Sequence, residues 1–141
     1  MSSPDSPDSP LDVATLALLA SRAETHSLVC RWVFHPDAIT PRRLELALDG
    51  QQYPPAVDEA RLEVRWFEGG DYTFHYLELR GGDRWQCRWD CHTKPGAPDA
   101  HFHPPPNATG VKPSEIPEQH HLGVLFFVLD WVEAHVESLH D

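Results

Sequence analysis

Residues 72–92 read YTFHYLELRGGDRWQCRWDCH, and this stretch decides the fold. Large apolar residues alternate with polar ones on both sides of Gly81-Gly82-Asp83, which is the pattern of two half-buried strands. Consecutive glycines readily adopt the positive φ angles that a tight hairpin turn requires. We therefore predict a β-hairpin whose strands are Tyr72–Arg80 and Arg84–Cys91.

Three segments upstream of this hairpin show the same alternation and are separated by Pro, Gly and Asp. They are Ser27–His35, Arg42–Leu48 and Arg61–Glu68. The sequence Gly69-Gly70-Asp71 supplies a second turn, between the third and fourth strands. Because short turns join antiparallel neighbours, the pattern predicts a five-stranded antiparallel meander.

A first helix is predicted before the strands. Ser9-Pro10 followed by Asp12 has the N-cap, the first-turn proline and the early acid of a helix start. The apolar positions of this helix continue to Ala23.

A long second helix closes the chain, from about Glu118 to His140. We expect it to pack on the sheet face that carries Trp85 and Trp89. Its apolar stripe is wider than one contact surface needs, so other elements cover the rest or the helix offers a partner or homodimer surface. The predicted fold class is α+β, with one helix before the sheet and one after it.

The composition is typical of one globular domain, since 141 residues with 40% hydrophobic side chains can bury a single core. Residues 1–10 repeat Ser-Pro-Asp and are predicted to form a disordered acidic tail, which leaves 11–141 as the domain. The chain has neither a membrane-spanning apolar run nor a signal peptide. We therefore expect a cytoplasmic protein without membrane contact.

The charge of the chain limits its partners. The formal net charge is −11 and the only lysines are Lys94 and Lys112, which is a haloarchaeal-like bias. Such an acidic surface repels the phosphate backbone, so any contact with RNA has to be local. The three cysteines are an odd number, and this favours buried thiols over a disulfide framework.

Strand parity divides the fifth predicted strand into two sets of side chains. The apolar set is Trp85, Cys87, Trp89 and Cys91; the polar set is Gln86, Arg88, Asp90 and His92. A cation, a carboxylate and an imidazole on one face can hold an anion, orient a histidine and transfer a proton. An ordinary exposed sheet face would have the same composition, and that reading stays open here.

Histidines are grouped in the proline-rich segment between the last predicted strand and the final helix. Five of the ten lie in this part of the chain: His92, His101, His103, His120 and His121. Such a long segment is predicted to be a functional loop, and grouped imidazoles suit acid–base work or metal ligation because they titrate near neutral pH. Solvated loop histidines are the alternative.

A zinc site is the metal alternative, with Cys87, Cys91 or His92 joining His101 and His103 as ligands. Strand parity opposes this set, because the cysteines face the core and His92 faces away from it. The sequence also contains no phosphate loop, nucleophile elbow or dinucleotide fingerprint. We therefore expect no cofactor and no metal.

Three motifs in the second half of the chain resemble the TumE-like toxins of toxin–antitoxin modules. The motifs are Tyr72-Thr73-Phe74-His75-Tyr76, Arg88-Trp89-Asp90-Cys91-His92 and His101-Phe102-His103-Pro104-Pro105, followed by a terminal helix. Trp89 stands where the family pattern has tyrosine, Cys91 where it has asparagine, and the final helix is longer and more apolar.

This resemblance implies a toxin that is neutralised by a cognate antitoxin protein and that acts on RNA. A metal-independent ribonuclease needs a base for the ribose 2′-OH, an acid for the leaving oxygen and a cation for the phosphate. We assign His101 and His103 as acid and base, Arg88 to the phosphate, and Asp90 to orienting His92. The alternative from another class is a non-catalytic protein-interaction module.

Overall fold

The computed structural model describes residues 9–94, 97–117 and 120–141. The predicted disordered tail falls almost entirely on residues 1–8, which lie outside the described residues. The elements are α1 (Val13–Ala23), β1 (Val29–His35), β2 (Arg43–Leu48), β3 (Glu59–Trp66), β4 (Tyr72–Arg80), β5 (Asp83–Lys94), β6 (Ala97–His103), β7 (Lys112–Pro113) and α2 (His121–Ser138). A short 3₁₀ turn spans Gly50–Gln52.

In the described part of the chain the strands form one seven-stranded sheet in chain order, and every neighbouring pair is antiparallel. The hairpin between β4 and β5 is the predicted one. Arg80 pairs with Asp83, and the two residues between them, Gly81 and Gly82, have φ angles of 56° and 91°. Only glycine adopts such angles without steric cost, so this turn sets the register of both strands.

The prediction of five strands is wrong, because the segment expected to be a loop adds β6 and β7. Phe102 shows why β6 forms: its ring lies 5.0 Å from the ring of Trp89, on the core side, while its neighbours His101 and His103 turn to the other face. Prolines on both sides of this segment conceal the alternation. Pro113 is tolerated in β7 because that strand is the edge of the sheet, where a missing N–H breaks no ladder.

Both helices lie on the same face of the sheet, and α1 packs against α2, β2 and β3. The expected packing of α2 is confirmed, since Trp85 stacks on His135 at 4.2 Å and Trp89 meets Trp131 edge-on at 5.0 Å. Much of the wide apolar stripe is therefore buried in the domain, while Phe127 remains partly exposed. A homodimer through α2 stays a prediction.

The start of α1 differs from the prediction. Asp12 is the N-cap, and its carboxylate accepts a hydrogen bond from the backbone N–H of Thr15 at 3.0 Å. Pro10 lies before the helix, and its carbonyl oxygen accepts a backbone hydrogen bond from Glu68, two residues after β3. Asp12 lies three residues before Thr15 and satisfies one of the free N–H groups of the first turn, which Ser9 is too far away to reach. None of the described helices is long and apolar enough to cross a membrane.

Candidate functional site

The face of the sheet opposite the helices carries a row of charged side chains that crosses four strands. The register pairs Glu63 with His75, His75 with Arg88, and Arg88 with His103. Directly paired residues in antiparallel strands point to the same side, so these four groups are neighbours on one face. Residues far apart in the chain thereby form one continuous line of ionisable groups.

A second row runs beside the first, one pleat along the strands. Arg65 pairs with Thr73, Thr73 with Asp90, and Asp90 with His101. We call these two rows, together with His92, the charged face. A concave groove of about 330 Å³ opens on it, lined by Glu63, Arg65, Thr73, His75, Arg88, Asp90 and His92.

Asp90 is the most buried charged group of this face, with only 7% of its surface exposed. Its Oδ2 accepts a hydrogen bond from Arg88 Nε at 2.8 Å and lies 2.9 Å from His103 Nε2. Its Oδ1 is buried and has no hydrogen-bond partner within the described residues. A buried carboxylate oxygen without a donor is costly, and such groups mark sites where a further partner is expected.

His103 is held at both ring nitrogens. Nε2 faces Asp90, and Nδ1 lies 3.0 Å from the backbone carbonyl oxygen of Gly110. Both partners are acceptor oxygens of the protein, so both ring nitrogens are engaged. His103 is therefore placed to support Asp90, not to exchange a proton with a ligand.

His101 and His92 are less constrained. The Nε2 of His101 lies 2.8 Å from the carboxylate of Asp99, and about a third of its side chain is exposed. His92 is exposed, lines the groove and pairs with Asp99 in the register. The two histidines are therefore diagonal neighbours on β5 and β6, a separation of about 7 Å in antiparallel sheets.

The opposite end of the groove is dominated by Glu63. Its carboxylate lies 3.5 Å from His75 Nδ1 and 3.2 Å from Arg61 Nε. The hydrogen bond with His75 and the charges of Arg43 and Arg61 lower the pKa of Glu63 to about 2. The other ring nitrogen of His75 lies 2.8 Å from Gln86 Oε1, so both Glu63 and His75 are committed to neighbours.

The predicted site residues thus lie on one face, although their pairing differs from the assignment made above. Arg88, Asp90 and His103 are in direct contact, and His101 is the register partner of Asp90. Asp90 contacts His103, not His92, because His103 arrives from β6 directly beside Arg88.

Sequence reasoning missed four lining residues of the groove, Glu63, Arg65, Thr73 and His75. All four alternate with buried apolar residues along β3 and β4. Parity alone could therefore have assigned them to the polar face. Parity does not give the strand register, and it is the register that places these residues of β3 and β4 beside Arg88.

The zinc ligand set does not come together. Cys87 and Cys91 are buried on the helix side, and their burial raises the pKa of both thiols, whereas His101 and His103 project from the other face. The sheet itself separates the proposed sulfur and nitrogen ligands.

The structure brings His26, Asp130 and Glu133 together elsewhere, on the helix side. The Nδ1 of His26 accepts a hydrogen bond from the backbone N–H of Leu28 at 3.2 Å. The proton of the neutral ring therefore lies on Nε2, which faces Asp130 at 3.4 Å. A metal ligand needs a lone pair at that nitrogen, so this group is better described as a hydrogen bond than as a metal site.

Comparison with known proteins gives a family for the chain. The family model of toxin TumE matches residues 18–136, which include β1 to β7 and part of each helix. No curated protein and no solved structure matches the sequence. The match spans most of the chain and contains the whole charged face, and the chain belongs to the toxin TumE family.

Proposed function

We propose that this protein is a metal-independent ribonuclease whose active site is the charged face. Membership of the toxin TumE family indicates a toxin component of a toxin–antitoxin system, with an antitoxin protein as its partner. The observation that carries the proposal is the Arg88–Asp90–His103 contact beside two accessible histidines on a concave face. The face thus offers the base, the acid and the cation that RNA cleavage without a metal requires.

The reaction is a transfer within the RNA chain. A base removes the proton of the ribose 2′-OH, and the resulting oxygen attacks the adjacent phosphorus. The bond from phosphorus to the 5′-oxygen breaks, and an acid donates a proton to that oxygen. The products are a 2′,3′-cyclic phosphate and a 5′-hydroxyl, and imidazoles serve both roles because they titrate near neutral pH.

His92 and His101 are the proton-transfer pair in this proposal. They replace the pair His101 and His103, because both ring nitrogens of His103 face acceptor oxygens of the protein. The carboxylate of Asp99 lies beside Nε2 of His101 and favours the proton at that nitrogen, which leaves Nδ1 to accept one. His92 is exposed at the edge of the groove and can approach substrate from the other side.

Arg88 and Arg65 bind the phosphate. The Nε of Arg88 is bound to Asp90, which orients the guanidinium and directs its terminal nitrogens away from that bond. Arg65 is exposed at the groove and has no ion pair within the described residues. These two cations give a local positive site on a chain whose net charge is −11. Asp90 and His103 are positioning residues that fix Arg88.

The test is a set of single substitutions assayed in cells and with purified protein. His92→Ala, His101→Ala and Arg88→Ala are compared with His140→Gln, whose ring bonds to the backbone of Gln52 far from the groove. Inducible expression with and without the antitoxin gene measures growth arrest. Incubation with RNA in EDTA, followed by mapping of product ends, measures cleavage.

The wild type and His140→Gln are expected to arrest growth and to leave 2′,3′-cyclic phosphate ends. Each active-site variant should lose at least about 10²-fold in rate, the usual contribution of an acid–base group. Cleavage that survives in His92→Ala/His101→Ala would contradict the assignment. Arrest by a wild type that leaves RNA intact is the result expected of a non-catalytic interaction protein.

A further inference from the structure

A second concave site lies on the helix side of the sheet, at the edge formed by β6, β7 and α2. It has a volume of about 210 Å³, and four aromatic side chains form its walls: Trp89, Phe102, Phe127 and Trp131. Trp89 lies at the base with 2% exposure, and its ring is 5.0 Å from both Phe102 and Trp131. We call this site the aromatic slot.

Two side chains of opposite charge lie at the rim of the slot. Lys112 is the register partner of Phe102, and Glu115 follows three residues later. Both are exposed, and neither makes an ion pair within the described residues. The slot therefore combines flat apolar walls with one hydrogen-bond donor and one charged acceptor.

The slot lies directly behind the charged face. Trp89 sits between Arg88 and Asp90 on β5, and Phe102 sits between His101 and His103 on β6, so alternate side chains of the same strands serve the two sites. Within the described residues, β6 is followed in the sheet by β7 alone, which has two residues and forms the edge. A flexible single strand crossing this narrow edge can reach both sites.

We propose that the aromatic slot binds a nucleobase of the RNA strand whose phosphate lies on the charged face, with guanine the best match. Aromatic rings stack on any base, and this is how single-stranded nucleic acids are commonly held. Guanine presents adjacent N–H donors and a carbonyl acceptor, which suit Glu115 and Lys112 respectively. The inference rests on the proposed ribonuclease function and adds its substrate preference.

The rim also argues against the other obvious occupant, an apolar side chain of a partner protein. Such a side chain would fill the space between the rings, but it would cover Lys112 and Glu115 without offering them a hydrogen bond. Removing a charge from water without a partner is unfavourable, so a heteroaromatic ligand with a polar edge fits both features of the site.

Binding is tested directly with the four nucleoside monophosphates, using the tryptophan fluorescence of the full chain and isothermal titration calorimetry. GMP is expected to bind more tightly than AMP, CMP or UMP. Glu115→Gln should abolish the preference for GMP, and Phe127→Ala should weaken all four by about tenfold, as loss of a stacking ring does. Glu137→Gln, an exposed acid elsewhere on α2, is the matched control.

The outcomes separate the slot from the catalytic proposal. GMP binding that is unchanged in Glu115→Gln and in Lys112→Ala would overturn the slot as a guanine site, and so would an apolar dye or peptide that binds there while nucleotides do not. Cut sites that lose their base preference in Glu115→Gln, with the cleavage rate on other sequences retained, would support it. If the protein binds GMP but cleaves no RNA, the proposed ribonuclease function is wrong and the proposed guanine site is retained.

Discussion

Two buried carboxylates on neighbouring strands show how the same side-chain chemistry serves different ends. Glu78 on β4 faces the helices and is fully buried, whereas Asp90 on β5 faces the other side and is 7% exposed. Each has an arginine two residues away on its own strand and a histidine from another element. For Glu78 these are Arg80 and His135; for Asp90 they are Arg88 and His103.

The two carboxylates differ in how many of their oxygens accept hydrogen bonds. Glu78 Oε1 accepts from Arg80, and Oε2 accepts from Tyr76 at 2.6 Å and from His135. Burial by itself would raise the pKa of Glu78, but the bonds from His135, Tyr76 and Arg80 outweigh it and hold that pKa below its ordinary value. Among the residues that the structure describes, Asp90 has polar partners at Oδ2 but not at Oδ1. A carboxylate with donors at both oxygens stabilises the fold. A carboxylate with an unpaired oxygen beside a groove can accept a hydrogen bond from a ligand.

The largest effect is expected from Glu78→Gln. An amide cannot neutralise Arg80 and His135, and breaking a buried ion pair typically costs about 3–5 kcal/mol. We expect the free energy of unfolding to fall by about 3 kcal/mol, measured by urea titration at pH 7. His135 also joins α2 to the sheet through Trp85, so the loss should appear in the global transition. A variant as stable as the wild type would remove the structural role of this cluster.

Asp90→Asn makes the equivalent change in the cluster of Arg88, Asp90 and His103. It should reduce stability only slightly and activity strongly. Arg88 is 39% exposed at its side chain, so water can take over part of its solvation, and we expect a stability loss of only about 1 kcal/mol. The rate of RNA cleavage should fall about 10²-fold, because a misplaced arginine no longer meets the phosphate.

Arg88→Lys serves as a second variant of the same contact, since it keeps the charge but loses the planar fork. The pH dependence of the residual activity should keep its shape, because His92 and His101 still carry the protons. If Asp90→Asn proves to be the less stable protein and Glu78→Gln the less active one, the comparison between the two carboxylates is wrong.

The comparison also shows how much of the molecule could be predicted. The bounds of β4 are predictable because a double-glycine turn follows an unbroken alternation, and the partition of β5 into two faces follows from parity. The strand β6 is not visible in this way, since it pairs Phe102 with Trp89 across an interval of proline-rich sequence. Local pattern identifies a strand only where its own residues alternate without interruption.

The same limit applies to the site. Arg88 and Asp90 are two residues apart on one strand, so sequence alone places them together. The contact between Asp90 and His103 and the position of His75 beside Arg88 depend on the register of three strands. The register is set when two strands pair, so it cannot be predicted from the sequence of one strand. Sequence reasoning therefore placed Arg88 and Asp90 together but paired Asp90 with His92, whereas the ring beside Asp90 is that of His103.

An intermediate effect is expected from Glu63→Gln, whose carboxylate is more accessible than that of Glu78. The folded pKa of Glu63, about 2, lies below its ordinary value of 4.5, so its contribution to stability is present above pH 4.5 and is lost as the pH falls toward 2. With solvent screening we expect about 1 kcal/mol at pH 7. Urea titrations from pH 7 to pH 2 should show the difference between wild type and variant shrinking toward zero. A constant difference would exclude this linkage.

The smallest effect is expected from Asp130→Asn. This variant tests whether the stability contributed by a carboxylate depends on its burial or only on contact with a histidine. Asp130 has a histidine partner, His26, at 3.4 Å, but 72% of its side chain is exposed. Exposed pairs are solvated and screened by salt, so the free energy of unfolding should change by less than about 0.5 kcal/mol. A loss approaching that of Glu78→Gln would mean that contact with a histidine is sufficient. A negligible change in the free energy of unfolding would mean that burial and the number of hydrogen-bond donors distinguish a structural carboxylate from a surface one. By both properties, Asp90 lies between Glu78 and Asp130.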